Sequence, residues 1–131
     1  MALDRHDFEQ GILRVGDLLI SPSTNLLDLE GQYAAKGETS SSVSYTLRQT
    51  VSFAGVAMTV RCLFRQARLA QVTLSPVNAA GPRDAWDLSR AFLEALMGCT
   101  DKTYPWGRVE TRLFPDYHDD YHGGDVYITY F

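Results

Sequence analysis

The chain has 131 residues, of which 45% are hydrophobic and 21% are charged, a balance typical of one globular domain of common size. Its formal net charge is −4, and it lacks the clustered Lys and Arg that neutralise phosphates, which argues against nucleic acid as a ligand. The N-terminus lacks the cationic start and apolar run of a signal peptide, and no apolar stretch is long enough to span a bilayer. We therefore expect one cytoplasmic domain, residues 1–131, that binds neither nucleic acid nor a membrane.

The N-terminal part begins with an apolar segment, residues 12–20. Short apolar runs fit a strand or a helix, so the pattern leaves both open. Ser23 is placed to cap a short helical turn, residues 24–29, which Gly31 would close. The small polar residues 36–42 predict a loop or mobile tip.

From residue 43 onward, apolar and polar side chains alternate, which predicts a three-stranded antiparallel meander that buries one face. Ala54-Gly55 marks the first reversal, and the polar residues 65–68 mark the second. Pro76 limits the pairing of the third strand. The predicted inward positions are Val43, Tyr45, Leu47, Val51, Phe53, Val56, Met58, Val60, Cys62, Phe64, Ala70, Val72 and Leu74.

One strong helix is predicted next, with Asp84 as its N-cap, Asp87 in its first turn and Gly98 at its end. Its apolar stripe consists of Ala85, Trp86, Leu88, Phe92, Leu93, Leu96 and Met97. A helix this amphipathic needs a sheet to cover.

Two further segments, residues 108–113 and 126–131, predict a C-terminal hairpin in the same sheet. The expected fold class is therefore α+β. It consists of an antiparallel sheet of about five to six strands, the meander plus the hairpin, with one long amphipathic helix packed across one face.

Nucleophilic catalysis has little support in the sequence. The chain contains no Gly-x-Ser-x-Gly elbow and no Gly-rich phosphate loop. Cys62 and Cys99 are not spaced as metal ligands or as a disulfide framework, and we expect both to be buried reduced thiols. A thiol and base pair of Cys99 with His118 or His122 rests on sequence proximity alone. We predict no catalytic residue, no cofactor and no enzymatic activity.

The most distinctive segment, residues 115–125, contains four Asp, two His and two Tyr and no Lys or Arg. Carboxylate and imidazole groups are ligands that zinc and manganese accept, so a metal- or small-ligand-binding module at residues 116–125 is one alternative. Pro115 and the Gly123-Gly124 pair predict a loop, however, and the spacing lacks the calcium-loop signature. The donors in this alternative would be Asp116, His118, Asp119, Asp120, His122 and Asp125.

A solvated hairpin tip, whose Asp and Gly residues simply suit turns, is the second interpretation of this segment. A recognition segment is the third, and the protein-binding function that we predict depends on it. Tyr117 and Tyr121 stand among carboxylates, which is the composition of an interface anchor with a polar rim. An acidic segment on an acidic chain would steer the protein toward a basic partner. The predicted partner-binding residues are Asp116, Tyr117, His118, Asp119, Asp120 and Tyr121.

An N-terminal apolar segment, a meander and one long helix are followed by Trp106-Gly107-Arg-Val-Glu and by a closing Asp125-Val-Tyr-Ile-Thr-Tyr130. This layout resembles that of small cytoplasmic immunity proteins encoded beside bacterial antagonistic toxins. The resemblance covers the layout of most of the chain and carries over no contact residue. It implies a stoichiometric inhibitor that occludes the active site of a partner toxin and has no chemistry of its own. Together with the acidic segment, this makes a basic toxin domain the expected partner. Trp106 itself is predicted to pin a strand start to the core, with a surface anchor as the other interpretation.

The last apolar segment, residues 126–131, is predicted to be a sheet edge, and edges need protection by pairing or charge. Pairing with a second copy would give a homodimer through the C-terminal strand. A second alternative function uses a sheet edge differently, as an adaptor or chaperone-like protein that adds an extended partner peptide to the sheet.

Overall fold

The computed structural model describes residues 2–115 and 121–131. The helices are α1 (Arg5–Glu9) and α2 (Pro82–Met97), and a 3₁₀ turn lies at Leu26–Leu29. The strands are β1 (Leu13–Val15), β2 (Leu18–Ile20), β3 (Tyr33–Glu38), β4 (Ser42–Leu47), β5 (Val51–Phe53), β6 (Val56–Arg65), β7 (Arg68–Pro76), β8 (Asp101–Tyr104), β9 (Gly107–Pro115) and β10 (Tyr121–Tyr130). The predicted α+β class is confirmed, with one long helix across an antiparallel sheet.

The strands form two sheets. β1 and β2 make a small hairpin, and the large sheet has the order β3-β4-β6-β7-β10-β9-β8, with β5 beside the start of β6. The large sheet therefore has eight strands rather than five to six. The predicted meander and C-terminal hairpin are both present, because β4, β6 and β7 pair in sequence and β9 pairs with β10.

The prediction that the last strand is a sheet edge is wrong. β10 lies in the interior of the sheet, paired with β7 on one side and β9 on the other, so it offers no free edge to a second copy. Its alternate residues Val126 and Ile128 are fully buried, which explains its apolar composition by packing rather than by dimerisation. The edges of the large sheet are β3 and β8.

Both edge strands escaped prediction for the same reason. In β3 every residue after Tyr33 is exposed, and in β8 only Tyr104 is buried, so neither strand shows an apolar alternation. The predicted loop at residues 36–42 is wrong for most of its length, because it belongs partly to β3 and partly to β4. Only residues 39–41 form the tip of the hairpin.

The first predicted meander strand is divided at residues 48–50 into β4 and β5. The sequence pattern runs through this break because Val51 lies four positions after Leu47, an even offset, and both residues remain buried. In β7 the pairing shifts at a bulge opposite Leu63, so Leu69 rather than Ala70 is buried. The predicted reversal at Ala54-Gly55 is confirmed, with φ of +51° and +81°.

The apolar segment 12–20 contains the β1–β2 hairpin, which settles the choice between strand and helix. Ser23 is not the cap of the following turn. Asn25 caps it, because its Oδ1 accepts from the Leu27 N–H at 3.0 Å while Asp28 Oδ2 accepts from the Asn25 N–H at 2.9 Å. The Ser23 hydroxyl instead lies 3.0 Å from that of Ser21.

Helix α2 begins three residues earlier than an N-cap at Asp84 implies. Gly81 is the N-cap residue and Pro82 opens the helix, which suits a residue without an N–H. Asp84 lies in the first turn, where its carboxylate accepts from the Ala80 N–H at 2.8 Å, whereas Asp87 lies beyond that turn. The predicted end is confirmed, since Gly98 adopts φ +79°.

The core lies on one face of the large sheet, under α2 and the N-terminal elements. Phe92 and Leu93 of α2 are fully buried there together with Ile20 and Leu29 of the N-terminal part. Cys62 is also fully buried, and burial raises its thiol pKa to about 12. Cys99 is only half-buried, so the expectation of two buried thiols is confirmed for Cys62 alone.

Candidate protein-binding surface

The predicted recognition segment lies mostly outside the described residues. Asp116, Tyr117, His118, Asp119 and Asp120 belong to the part of the chain that is not described, whereas Tyr121 is the first residue of β10 and pairs with Pro115. The described residues that flank this segment belong to the β9–β10 hairpin, since Pro115 ends β9 and Tyr121 begins β10. These neighbours show what kind of surface the segment adjoins.

The start of β10 corrects the predicted loop. Residues 121–125 belong to a strand, and the Gly123-Gly124 pair forms a bulge in the pairing with β9 rather than the end of a loop. Both glycines have φ above +80°, a region that favours glycine. The bulge brings the carbonyl of Asp125 within 2.8 Å of the Thr111 Oγ1 hydroxyl, which donates to it.

The face of the sheet opposite the core carries polar and charged residues, and we call it the open face. Its side chains are half-buried or exposed, apart from Thr73. Such a division into one buried and one solvated face is usual for antiparallel sheets. The open face consists of Ser44 and Thr46 (β4), Thr59, Arg61 and Leu63 (β6), Gln71, Thr73 and Ser75 (β7), Asp125, Tyr127 and Thr129 (β10), and Arg108, Glu110 and Arg112 (β9).

Asp125 is the most perturbed carboxyl of this face. Partial burial raises its pKa above the ordinary value, and a hydrogen bond from Ser75 together with the charge of Arg61 opposes that rise. The ionised carboxylate is thus partly stripped of water with one cation nearby. A second cation brought by a partner would stabilise the charged form further.

Tyr127 connects Asp125 to the rest of the open face. It pairs with Thr73 on one side and Glu110 on the other, and Thr73 in turn pairs with Arg61. Burial raises the pKa of the Tyr127 hydroxyl, and the charge of Asp125 raises it further. The ring is half-buried, so it offers apolar area and a hydroxyl together, as interface anchors do.

The β9 side of the open face is a chain of ion pairs. Arg112 contacts Glu110 at 2.9 Å, Glu110 contacts Arg108 at 3.3 Å, and Arg108 contacts Asp101 at 2.6 Å. These side chains are mostly solvent-exposed, so each pair adds little to stability. They do fix an alternating charge pattern beside Tyr127.

The β4 side of the open face contains a shallow groove of about 310 Å³. Arg61 and Leu63 form its floor with Gln71 and Thr73, and the β3–β4 hairpin tip forms one wall. The groove is lined by both polar and apolar atoms, with the Arg61 guanidinium beside the Leu63 side chain, so its lining alone does not select one class of ligand.

Trp106 pins the turn between β8 and β9 to the N-terminal part of the chain. Its ring stacks on Tyr104 at 5.0 Å between centroids, and its Nε1 donates to the Glu9 carbonyl at 2.9 Å. Gly11 lies against the ring, where a Cβ would come within 2.6 Å. The interpretation of Trp106 as a core-pinning residue is supported by these contacts.

The sequence did not reveal the partners of Asp125. The alternation placed Arg61 and Ser75 on the solvated side of the meander, but it did not give the strand order that brings β7 beside β10. Knowing that order would have placed Ser75 next to Asp125. Within the part of the chain that the structure describes, no three His, Cys, Asp or Glu side chains group as metal ligands, and the metal alternative concerns residues mostly outside it.

Comparisons with protein-family models, with curated proteins and with solved structures found no match to this chain. Among the described residues no helix is both long and apolar enough to cross a membrane.

Proposed function

We propose that the chain is a non-enzymatic protein-binding domain, an inhibitor of the immunity type that occludes the active site of a basic partner toxin. The docking surface is the segment Asp116–Tyr121 together with the adjoining part of the open face. One observation carries the proposal: Asp125 and Tyr127, which follow Tyr121 in the same strand β10, are both half-buried on that face.

The charge of this region supports a basic partner. Residues 115–125 contain four carboxylates and no Lys or Arg, and partial burial of Asp125 leaves its charge incompletely solvated. A cation from a partner would replace lost hydration there, while Tyr127 would supply contact area. Tyr residues are enriched in interface hot spots, and Arg residues of a basic partner, which are enriched there too, would pair with the carboxylates.

Capture from native lysate on the tagged protein, followed by mass spectrometry, tests the proposal. We expect one stoichiometric basic protein that is lost when Asp119 and Asp120 are both replaced by Asn. A matched control replaces Asp87 and Glu94, two exposed carboxylates on α2, by Asn and Gln, and it should retain the partner. Equal capture by both variants would contradict docking through the acidic segment.

Metal analysis of the same preparation addresses the metal-binding alternative. One equivalent of zinc or manganese, lost when His118 and His122 are replaced by Ala, would replace the proposal with a metal site.

An adaptor function is the second candidate, and β3 is the observation that favours it. This edge strand is exposed along five of its six residues, and it pairs on one side only, with β4. An extended peptide could add to its free side by main-chain hydrogen bonds. Replacing Ala35 by Pro would remove such binding and leave binding through the acidic segment intact.

A further inference from the structure

Exposed leucines in the N-terminal part of the molecule form a feature that the proposed function does not use. Leu27 is 78% exposed and Leu19 is 45% exposed. Leu19 and Leu18 line a cleft of about 330 Å³ together with Asp28, the residue after Leu27. We call this region, with the exposed carboxylates Asp17, Asp28 and Glu30, the leucine surface.

The backbone that presents these leucines is held by local hydrogen bonds. The Asn25–Asp28 capping box fixes the 3₁₀ turn that carries Leu27. Thr24 Oγ1 accepts from the Ser21 N–H at 2.8 Å and donates to the Leu19 carbonyl at 3.4 Å, which ties this turn to β2. The exposed leucines are therefore preorganised, which lowers the entropy lost when a partner docks.

Charge indicates what kind of partner would fit. The charged residues of the stretch 15–35, which carries these leucines, are all carboxylates, namely Asp17, Asp28 and Glu30. One cation, Arg48, lines a pocket together with Leu18 and Gly31. Arg14, which pairs with Leu19 across the hairpin, is bound by Asp7 at 2.8 Å. The net charge around the leucines is thus negative.

From these observations we infer that the leucine surface docks a basic amphipathic segment of another protein. The apolar face of that segment would cover Leu19 and Leu27, and its Lys or Arg residues would meet Asp17, Asp28 and Glu30. A second copy of this chain is a poorer occupant, because a two-fold contact would bring like-charged rims together. The inference does not depend on the proposed function, since it uses none of the residues 116–121.

A synthetic probe tests the inference without a known partner. The probe is a peptide of two heptads, Leu-Lys-Lys-Leu-Leu-Lys-Leu, titrated into the isotopically labelled full chain while backbone amide NMR shifts are recorded. We expect shifts at residues 17–31 and an affinity reduced about tenfold by the double variant Leu19→Ser, Leu27→Ser. The same peptide with Glu in place of Lys should bind far more weakly.

Matched controls separate the leucine surface from apolar exposure in general. Val77 and Phe131 are 47% and 69% exposed, and the double variant Val77→Ser, Phe131→Ser should bind the peptide as the wild type does. The variant Asp119→Asn, Asp120→Asn should also bind normally. Urea unfolding of each variant shows whether it is folded at the temperature of the titration.

Four results would overturn the inference. The first is no binding, and the second is equal loss of affinity in both serine double variants. The third is a set of NMR shifts confined to the β9–β10 hairpin, and the fourth concerns a second copy of the chain. A wild-type dimer that Leu27→Ser dissociates would assign the leucine surface to a second copy and would likewise refute a basic segment as its occupant.

Discussion

The Ser89 hydroxyl donates a buried hydrogen bond of 2.7 Å to the carbonyl of Gly124, joining the middle of α2 to the bulge in β10. The bond spans 35 residues of sequence and holds the helix over the strand that begins at the acidic segment. It therefore links the core to the region that we propose as the docking surface.

Replacing Ser89 by Ala should destabilise the protein by about 1–3 kcal/mol, because the Gly124 carbonyl would be left buried without a donor. Urea unfolding followed by circular dichroism measures the change. Ser40→Ala, at an exposed position in the β3–β4 tip, is the control and should alter stability by less than about 0.5 kcal/mol. Equal effects of the two changes would show that the Ser89 bond does not matter.

Gly124→Ala should be more damaging. Gly124 has φ +83°, and an added Cβ would collide with the Pro82 carbonyl and lie 2.9 Å from the Trp86 nitrogen, so α2 would have to move. We expect a loss of about 3 kcal/mol or more in the free energy of unfolding.

Gly31 provides the matched control for Gly124. Its φ is +76°, but a Cβ there would meet nothing within 4 Å, so Gly31→Ala should show the backbone strain alone, about 1–2 kcal/mol. If both alanine variants lost the same amount, close packing of α2 on the bulge would make no contribution.

The two cysteines should react at very different rates. Burial raises the Cys62 thiol pKa to about 12 and hides the sulfur, whereas Cys99 is half-buried. Alkylation near pH 8 should modify Cys99 first. Cys62 should be modified only as fast as the protein unfolds, because unfolding exposes its sulfur. Mass spectrometry after timed quenching distinguishes the sites, and Cys99→Ser isolates the slow thiol. Fast labelling of Cys62 in that variant would contradict its burial.

Asp125 should make stability depend on pH in a direction opposite to that of a salt-bridged carboxylate. Its pKa is raised in the folded protein by burial, so the stability it contributes is present below the ordinary value of 3.8 and is lost as pH rises through the folded value. Asp125→Asn should therefore be more stable than the wild type at neutral pH. When the pH is lowered, its free energy of unfolding should increase less than that of the wild type. Urea midpoints of both proteins across this range test the sign. A variant less stable at neutral pH would show that the hydrogen bond from Ser75 and the attraction of Arg61 together outweigh burial.

The sequence predicted those elements in which burial of one face gives a periodic pattern of apolar residues. The alternation of β6 and β10 and the stripe of α2 are direct consequences of covering one face of a sheet. β3 and β8 left no such period, because almost all their side chains are exposed. The position of β10 between β7 and β9 depends on strand order, which periodicity does not encode. The apolar residues of β10 alone therefore do not distinguish an interior strand from an edge strand.

The candidate surface was only partly predictable. The composition of residues 115–125 pointed to a charged recognition segment, whereas the role of Asp125 depends on Ser75 and Arg61, which lie on strands distant in sequence. The exposure of Leu27 was not predictable, because a single exposed leucine in a short turn gives no sequence pattern. Its significance follows from its exposure and from the capping box beneath it.

The central claim is that the acidic segment docks a basic protein, and the salt dependence of the association rate with the captured partner tests it most directly. Stopped-flow mixing should show an association rate that falls steeply with ionic strength, and Asp119→Asn with Asp120→Asn should lower both the rate at low salt and the slope. The Asp87→Asn, Glu94→Gln control should leave both unchanged. An association rate and a salt slope identical to those of the wild type in the Asp119, Asp120 variant would contradict the claim.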